Sequence, residues 1–270
     1  MQPQELQKIA EGREAEMFAW DEGTILRLLR DAGSQGRLQR EALAMEAARS
    51  SGVRVPAVHD LTTVNGRPGM VMERIDGPDL LALVARGPWK MFWAARVLGE
   101  AQAQLHAARG SSGLPELRVV LRRHIESANL PDHLTRFAMQ RLAGLTDGKS
   151  LCHGDFHPGN IIVSEGGPVV IDWTGATHGD PDADVARTLL MFRIGELPPG
   201  SPMVIRVLAR FVRRIMASAY LRAYRRQRAV EPAAVERWDI PVTAGRVSDG
   251  IEEETPRLMS LLEEEYGSTG

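Results

Sequence analysis

Short apolar runs separated by turn residues occupy the first 76 residues, a pattern typical of β-strands. Four runs of this kind are predicted as strands, at residues 15–20, 24–29, 57–61 and 69–73. Residues 21–23, Asp-Glu-Gly, predict a hairpin turn between the first two strands, and the Asn-Gly pair at 65–66 predicts a turn before the last one. Residues 38–49 are rich in Ala, Leu, Glu and Met, which favours one helix between the two strand pairs.

From residue 77 onward the spacing of apolar residues changes to that of helices. One apolar face recurs at intervals of three and four, formed by Met91, Ala94, Leu98, Ala101 and Leu105. Further helices are predicted near residues 115–127, 131–145, 182–193, 203–228 and 250–265. The chain is therefore expected to be an α+β protein of two lobes. The smaller lobe, residues 1–76, is β-rich with one helix, and the larger lobe, residues 77–270, is mainly helical.

The composition is that of an ordinary globular protein, with 43% hydrophobic and 25% charged residues. A formal net charge of -2 gives no overall basic field, so no nucleic-acid partner is expected. No secretory signal is recognisable, and no apolar run approaches the roughly 18 residues needed to span a bilayer. With Cys152 as the only cysteine, no intrachain disulfide can form. We therefore expect a cytoplasmic protein without a membrane partner or an obligate protein partner.

A segment in the second half of the chain carries candidate chemistry. Two β-branched apolar runs, at residues 161–163 and 169–171, flank a Gly-Gly-Pro turn and predict a hairpin. Asn160 and Asp172 each lie six positions from Gly166, the expected centre of the turn, so they should emerge side by side at the open end. One amide oxygen and one carboxylate placed in this way can share a hard cation such as Mg²⁺.

Asp155 lies five residues before Asn160, on the loop that leads into the hairpin. There its carboxylate can face a substrate beside the metal. Phosphoryl transfer needs metal ligands that bridge phosphate oxygens, and a carboxylate that orients the attacking hydroxyl and accepts its proton. The segment therefore supplies the parts for phosphoryl transfer to a hydroxyl group.

Three short motifs within residues 151–186 carry a family resemblance. They are His153-Gly154-Asp155 with Asn160, then Ile171-Asp172-Trp173, then Gly179-Asp180-Pro181 with Asp184. Together they resemble the aminoglycoside phosphotransferase and choline kinase superfamily. The resemblance implies a protein-kinase-like fold and an ATP- and Mg²⁺-dependent phosphotransferase acting on a hydroxyl group of a small molecule. Aminoglycosides, choline-like amino alcohols and sugars all remain open as acceptors.

The resemblance also implies roles for the residues of these motifs. Asp155 is the expected catalytic base, and Asn160 and Asp172 are the expected Mg²⁺ ligands. Asp184 is expected to hydrogen-bond the catalytic loop and hold its shape. We expect His153 to be a buried histidine that organises the same loop.

For the nucleotide, the resemblance points to residues of the N-terminal lobe. Gly12 is the one glycine of the expected nucleotide loop, and the backbone from Glu73 to Ile75 is expected to meet the adenine ring. Arg27 stands where the family has its phosphate-binding lysine, and Glu41 matches the acidic partner of that lysine. Arginine keeps the charge and can bind phosphate, although its shape differs from that of lysine.

Two other functions compete with a small-molecule kinase. Arg27 in place of the family's lysine also fits a nucleotide-binding pseudokinase with a regulatory or interaction role. Separately, Arg27 and Glu41 are open to interpretation as a plain surface ion pair. His153, Asp155 and His157 have a spacing that allows a transition-metal cluster and hence a metallohydrolase. A metallohydrolase leaves Asn160 and Asp172 without a role, and no further His or Cys group lies at a convincing spacing.

Three remaining features lie outside these motifs. The arginine-rich helix near residues 206–228 is expected to pair with the acidic tail at residues 252–265. Core packing is expected for three aromatic residues, Trp89, Phe92 and Trp93. Three carboxylates are candidates for receiving a cationic acceptor, Asp239, Asp249 and Glu252.

Overall fold

A computed structural model describes residues 6–12, 14–32, 35–195 and 203–268. Its N-terminal part is a five-stranded antiparallel sheet with the strand order β1-β2-β3-β5-β4. The strands are β1 (Lys8–Glu11), β2 (Ala15–Ala19), β3 (Thr24–Leu29), β4 (Val58–Val64) and β5 (Arg67–Glu73). Helix α1 (Gln35–Ser50) connects β3 to β4. The four predicted strands and the helix are confirmed, whereas β1 was not expected because all four of its residues are exposed and show no apolar alternation.

Strand β3 directs its side chains to two different apolar clusters. Leu26 and Leu28 belong to a small cluster on one face of the sheet. Leu29 belongs to the main core, which includes Leu38 of α1. Because side chains alternate along a strand, Arg27 faces the same side as Leu29, toward α1. The sheet therefore presents Arg27 on the face that α1 covers.

The C-terminal part is mainly helical, as expected. Its helices are α2 (Leu80–Arg86), α3 (Met91–Leu105), α4 (Leu117–Ser127), α5 (Asp132–Ala143), α6 (Pro181–Ile194), α7 (Met203–Gln227), α8 (Pro232–Glu236), α9 (Asp239–Val247) and α10 (Thr255–Ser268). Two antiparallel strand pairs lie among them, β6 (Ser150–Cys152) with β9 (Thr177–Gly179), and β7 (Ile161–Ser164) with β8 (Gly167–Val170). Helix α9 was not expected because it contains Pro241 and Gly245, both poor helix formers. Pro241 is tolerated because it lies in the first turn.

Helices α3 and α7 pack closely through a glycine. A Cβ atom at Gly99 would lie 2.4 Å from the backbone oxygen of Tyr220, so a larger residue would push the two helices apart. The close approach lets Tyr220 hydrogen-bond Gln102, and Gln102 in turn donates to Asp184 of α6. The three helices thus form one frame beneath the candidate site.

The aromatic residues expected in the core lie at the surface instead. Trp89 is 74% exposed, and Phe92 and Trp93 are also exposed. Helix α3 buries the face that carries Ala94 and Leu98, which leaves Phe92 and Trp93 on the other side. The expectation of core packing is therefore wrong for these three residues.

The expected pairing of the basic helix with the acidic tail is also wrong. Helix α7 packs against α3 and α6, whereas the tail helix α10 packs against α5 and α9. Glu254 pairs with Arg246 of α9, and Glu263 pairs with His133 of α5. No helix in the described part of the chain combines the length and apolar character needed to span a bilayer.

Candidate active site

A cavity of about 1430 Å³ lies between the sheet and the helical part. All eight residues predicted to form the site line it: Gly12, Arg27, Glu41, Glu73, Ile75, Asp155, Asn160 and Asp172. They come from five separate stretches of the chain. The structure therefore brings the predicted catalytic, metal and nucleotide residues to one place.

The β7–β8 hairpin places Asn160 and Asp172 slightly differently from the expectation. Its turn is centred between Glu165 and Gly166 rather than on Gly166. As a result, Asn160 is opposite Ile171, whose backbone N–H donates to the Asn160 carbonyl at 3.0 Å. Asp172 follows Ile171, so the prediction that Asn160 and Asp172 lie directly opposite each other is wrong by one residue.

The backbone of Asp172 has an unusual conformation. Its φ of 60° lies in the left-handed region, which residues other than glycine rarely adopt. The side chain is exposed to the cavity, and the Thr174 hydroxyl donates to its Oδ1 at 2.8 Å. A conformation of this kind costs on the order of 1–3 kcal/mol and is concentrated at functional sites. The strain at Asp172 therefore marks this carboxylate as a candidate functional group.

Asn160 is held by the loop that carries Asp155. Its Nδ2 donates to the backbone oxygen of Asp155 at 2.8 Å and lies 3.4 Å from Oδ2 of the same residue. Both contacts use the amide nitrogen. The amide oxygen is left as a neutral oxygen ligand for a cation.

Asp155 is surrounded by three cationic or potentially cationic side chains. Its Oδ1 lies 3.7 Å from Nη2 of Arg187 and 3.6 Å from Nη1 of Arg246, and its Oδ2 lies 3.5 Å from Nε2 of His157. Burial alone would raise the pKa of Asp155, but the His157 hydrogen bond and the arginine charges outweigh it and hold that pKa well below its usual range. The carboxylate is therefore ionised at neutral pH.

Asp184 fixes the loop that carries Asp155. Its carboxylate accepts from the backbone N–H groups of His153 (3.0 Å) and Gly154 (2.8 Å), which are the expected hydrogen bonds. Burial would raise the pKa of Asp184, but the hydrogen bond from His106 lowers it to about 2. Gly154 has a φ of +81°, and a Cβ there would lie 2.2 Å from the backbone oxygen of Gly175. Only glycine fits the tight loop that Asp184 holds.

His153 is buried and structural, as expected. Its Nε2 donates to the Ile171 carbonyl at 3.0 Å, and its Nδ1 accepts from the Asp155 backbone N–H at 3.3 Å. Burial lowers its pKa, which keeps the ring neutral. Both ring nitrogens are thus occupied, and the metallohydrolase hypothesis loses one of its three ligands. Among the described residues, no group of three or more His, Cys, Asp or Glu side chains is placed to hold a metal ion.

Arg27 and Glu41 form a buried ion pair. Nη1 of Arg27 lies 2.9 and 2.7 Å from the two carboxylate oxygens of Glu41, and the two residues are 8% and 3% exposed. Burial raises the pKa of Glu41, with Arg27 opposing the shift. The interpretation of Arg27 and Glu41 as a surface ion pair is therefore wrong, because the pair is buried.

We expect Arg27→Ala to lower the free energy of unfolding by about 3–5 kcal/mol, because it leaves the Glu41 carboxylate buried without a partner. Glu41→Gln added to Arg27→Ala should cost less than the sum of the single changes. Arg27→Lys should retain most of the stability because the charge remains. Urea unfolding measures each value, with Arg193→Ala at an exposed pair as the control, expected below about 1 kcal/mol. A loss of less than 1 kcal/mol in Arg27→Ala would contradict the buried pair.

The end of β5 offers only part of the backbone hydrogen-bonding groups that were expected to meet the adenine ring. The Glu73 N–H donates to the Ala57 carbonyl at 2.8 Å, and its side chain accepts from the Ala57 N–H at 3.1 Å. The Glu73 side chain is thus tied to Ala57, the residue before β4, and Ile75 also lines the cavity. Gly12 donates to the Ala15 carbonyl at 2.9 Å and closes the β1–β2 turn. Arg13 of the expected nucleotide loop lies outside the described residues.

Sequence reasoning missed two arginines of the site, Arg187 on α6 and Arg246 on α9. Arg187 lies three residues after Asp184 on one helix, so its proximity to the catalytic loop could have been predicted. The proximity of Arg246 to Asp155 could not be predicted in this way, because Arg246 lies on a separate helix far along the chain.

One of the three carboxylates considered for a cationic acceptor lines the cavity. Asp249 does so, and its Oδ2 accepts from Arg187 and Arg246 at 2.9 Å each. Asp239 and Glu252 are not among the lining residues. Asp249 is therefore already paired with two cations.

Comparison with known proteins shows the same architecture. A match to the phosphotransferase enzyme family (APH) covers residues 5–235. No curated protein matches the chain. Three similar solved structures each share less than a fifth of their residues with this chain.

A thermostable mutant of the aminoglycoside phosphotransferase APH(4)-Ia, in its apo form, has 17% identity and a TM-score of 0.69, over 98% of this chain and 95% of its own. The amicoumacin kinase hAmiN, in complex with AMP-PNP, Ca²⁺ and Ami, has 15% identity and a TM-score of 0.69, over 98% and 90%. The GDP and kanamycin complex of APH(2")-IIia has 18% identity and a TM-score of 0.59, over 100% and 95%.

The structural likenesses establish the two-lobed, kinase-like fold that the sequence predicted. The family match extends across both the sheet and most of the helical part. The chain therefore belongs to the phosphotransferase enzyme family of small-molecule kinases.

Proposed function

We propose that the protein transfers the γ-phosphoryl group of ATP, with Mg²⁺, to a hydroxyl group of a small molecule. The observation that carries the proposal is the convergence of Asp155, Asn160 and the strained Asp172 in one cavity. In this proposal residues 1–76 form the nucleotide-binding lobe, and residues 77–270 form the lobe that carries the catalytic and acceptor-binding groups.

The donor set at the hairpin fits a hard cation. Asn160 Oδ1 and the Asp172 carboxylate would hold Mg²⁺, because oxygen ligands suit that ion and water and phosphate oxygens can complete its shell. When bound there, Mg²⁺ would neutralise negative charge on the phosphates of the nucleotide. The amicoumacin kinase structure, a complex with AMP-PNP, Ca²⁺ and Ami, supports the proposal of a divalent cation here.

The nucleotide would lie against the sheet. Arg27, oriented by Glu41, would contact the phosphates, since a guanidinium presents several N–H donors to phosphate oxygens. The Glu73 carbonyl and the Ile75 amide would meet the adenine ring, because the Glu73 N–H is already bonded. Gly12 would lie over the phosphates at the β1–β2 turn.

Asp155 would act on the acceptor hydroxyl through Oδ2, because Oδ1 is buried beneath the two arginines. A carboxylate with so low a pKa is a weak base. Its main contribution is then to orient the hydroxyl, and it accepts the proton once bond formation to phosphorus makes that proton acidic.

We expect saturating Mg-ATP to stabilise the fold, by about 2.7 kcal/mol at a hundredfold excess over Kd. The physical reason is mass action on a site that only the folded chain possesses. Urea unfolding with and without Mg-ATP measures the effect, and ATP with a chelator is the control, expected to stabilise less. Equal stability with and without millimolar Mg-ATP would contradict the proposal that this cavity binds the nucleotide.

A further inference from the structure

One part of the cavity lies beyond Asp155, away from the sheet. It is lined by residues within 114–124 and 242–251, from α4, α9 and their adjoining loops, together with Asp155 and Arg187. We call this part the acceptor end, since under the proposed function the acceptor hydroxyl must approach Asp155 from there. Its charges and its walls determine which molecules fit.

Both carboxylates that line the acceptor end, among the described residues, are engaged by arginines. Asp249 Oδ2 accepts from Nη2 of Arg187 and from Nη1 of Arg246, each at 2.9 Å. Asp155 Oδ1 lies within 3.7 Å of the same two nitrogens. Asp249 is therefore already paired, and Asp155 leaves only Oδ2, the oxygen assigned to the acceptor hydroxyl, toward a ligand.

Arg187 and Arg246 are themselves paired and largely buried. Arg246 donates from Nε and Nη2 to the two oxygens of Glu254, at 2.8 and 3.0 Å. The side chains of Arg246 and Arg187 are only 7% and 14% exposed. An anionic ligand at Arg187 or Arg246 would have to displace a carboxylate from a guanidinium that is already paired.

The formal charges at the acceptor end cancel. Three arginines of the lining, with Arg123 as the third, stand against two carboxylates of the lining, Asp155 and Asp249. Glu254, which does not line the cavity but pairs with Arg246, supplies the third negative charge. Burial lowers the pKa of His124, the other titratable side chain in the lining, so this ring adds no charge near neutral pH. The acceptor end has no net charge to attract a polycation or a polyanion.

Apart from Ser248, the rest of the acceptor end is apolar. Its aliphatic lining consists of Leu114, Leu117, Val120, Leu121, Val242 and Ile251. These side chains come from α4, α9 and the loops beside them, so they face the charged cluster from two sides. An apolar body of a ligand would bury its surface against them.

We propose that the acceptor is an uncharged hydroxyl compound with an apolar body, rather than a polycation such as an aminoglycoside or an anionic metabolite. This inference rests on the proposed phosphotransfer for the position of the hydroxyl. Binding at the acceptor end can be measured without turnover, so the two proposals can fail separately.

Three compounds with one carbon skeleton test the charge preference: phenylpropanediol (uncharged), phenylalaninol (cationic) and phenyllactate (anionic). Calorimetric titration into the full chain with Mg-ADP should show the diol binding at least about tenfold more tightly than either charged analogue. Tighter binding of phenylalaninol or phenyllactate would overturn the proposal, as would equal binding or no binding by all three.

Arg187→Gln provides the second arm. Removing one cation frees a carboxylate, so the preference for the diol over phenylalaninol should fall by about tenfold. Arg193→Gln is the matched control, because Arg193 pairs with Asp239, which does not line the cavity. This variant should prefer the diol over phenylalaninol to the same extent as the wild type. An unchanged preference in Arg187→Gln would overturn the proposal. If the diol binds as expected but no compound is phosphorylated, the proposed function fails while the charge preference stands.

Discussion

Asp155→Asn is expected to lower kcat by about 10² to 10⁴ while leaving the affinity for ATP nearly unchanged. The substitution keeps the shape of the side chain but removes the charge that orients the acceptor hydroxyl and takes its proton. Steady-state kinetics and nucleotide titration give the two numbers. Asp239→Asn, which changes a carboxylate outside the cavity lining, is the control and should leave kcat unaltered.

The pH dependence gives a second view of the same residue. The folded-state pKa of Asp155 lies below its ordinary value, so the carboxylate is ionised throughout the range above about pH 4. Protonation of Asp155 should therefore produce no loss of kcat as the pH falls from neutrality toward about pH 5. Wild-type kcat in Asp155→Asn would contradict the assigned role, and so would an acid limb in the wild type that this substitution abolishes.

Asp172→Asn is expected to lower turnover by about 10³-fold or more and to weaken Mg²⁺-dependent ATP binding. Asp172 is the one carboxylate that we place on the metal, and metal stabilisation of transition-state charge is worth several kcal/mol. Asn tolerates the left-handed backbone at this position, so the fold should survive. Asn160→Ala should have a smaller effect, because a neutral ligand contributes less charge.

Mg²⁺ titrations of ATP binding and turnover measure both variants. Unfolding by urea checks that Asp172→Asn keeps the wild-type stability within about 1 kcal/mol. Near wild-type turnover with unchanged Mg²⁺ dependence in Asp172→Asn would show that the cation lies elsewhere.

The local part of the site could be predicted from the sequence. Asp155, Asn160 and Asp172 lie on one loop and one hairpin, so strand patterns and turn residues were enough to bring them near each other. The offset of one residue could not be predicted, because the centre of the turn and the left-handed φ of Asp172 depend on backbone detail.

The acceptor end could not be predicted, because it is assembled from distant segments. Arg246 lies on α9 and Asp249 lies on the loop after it. Helix propensity does not predict α9, because the helix contains Pro and Gly. The surface position of Trp89 was missed for a related reason. Apolar composition alone does not show which face of a helix the neighbouring elements cover.

The most direct test of the central claim follows the labelled γ-phosphate of ATP in the presence of hydroxyl compounds of all three charge types. We predict that the label moves to an acceptor hydroxyl, that ester and ADP form in equal amounts, and that both depend on Mg²⁺ and on Asp155. Nucleotide binding without transfer to any acceptor would contradict the claim and favour a pseudokinase. Label released only as inorganic phosphate would contradict it as well.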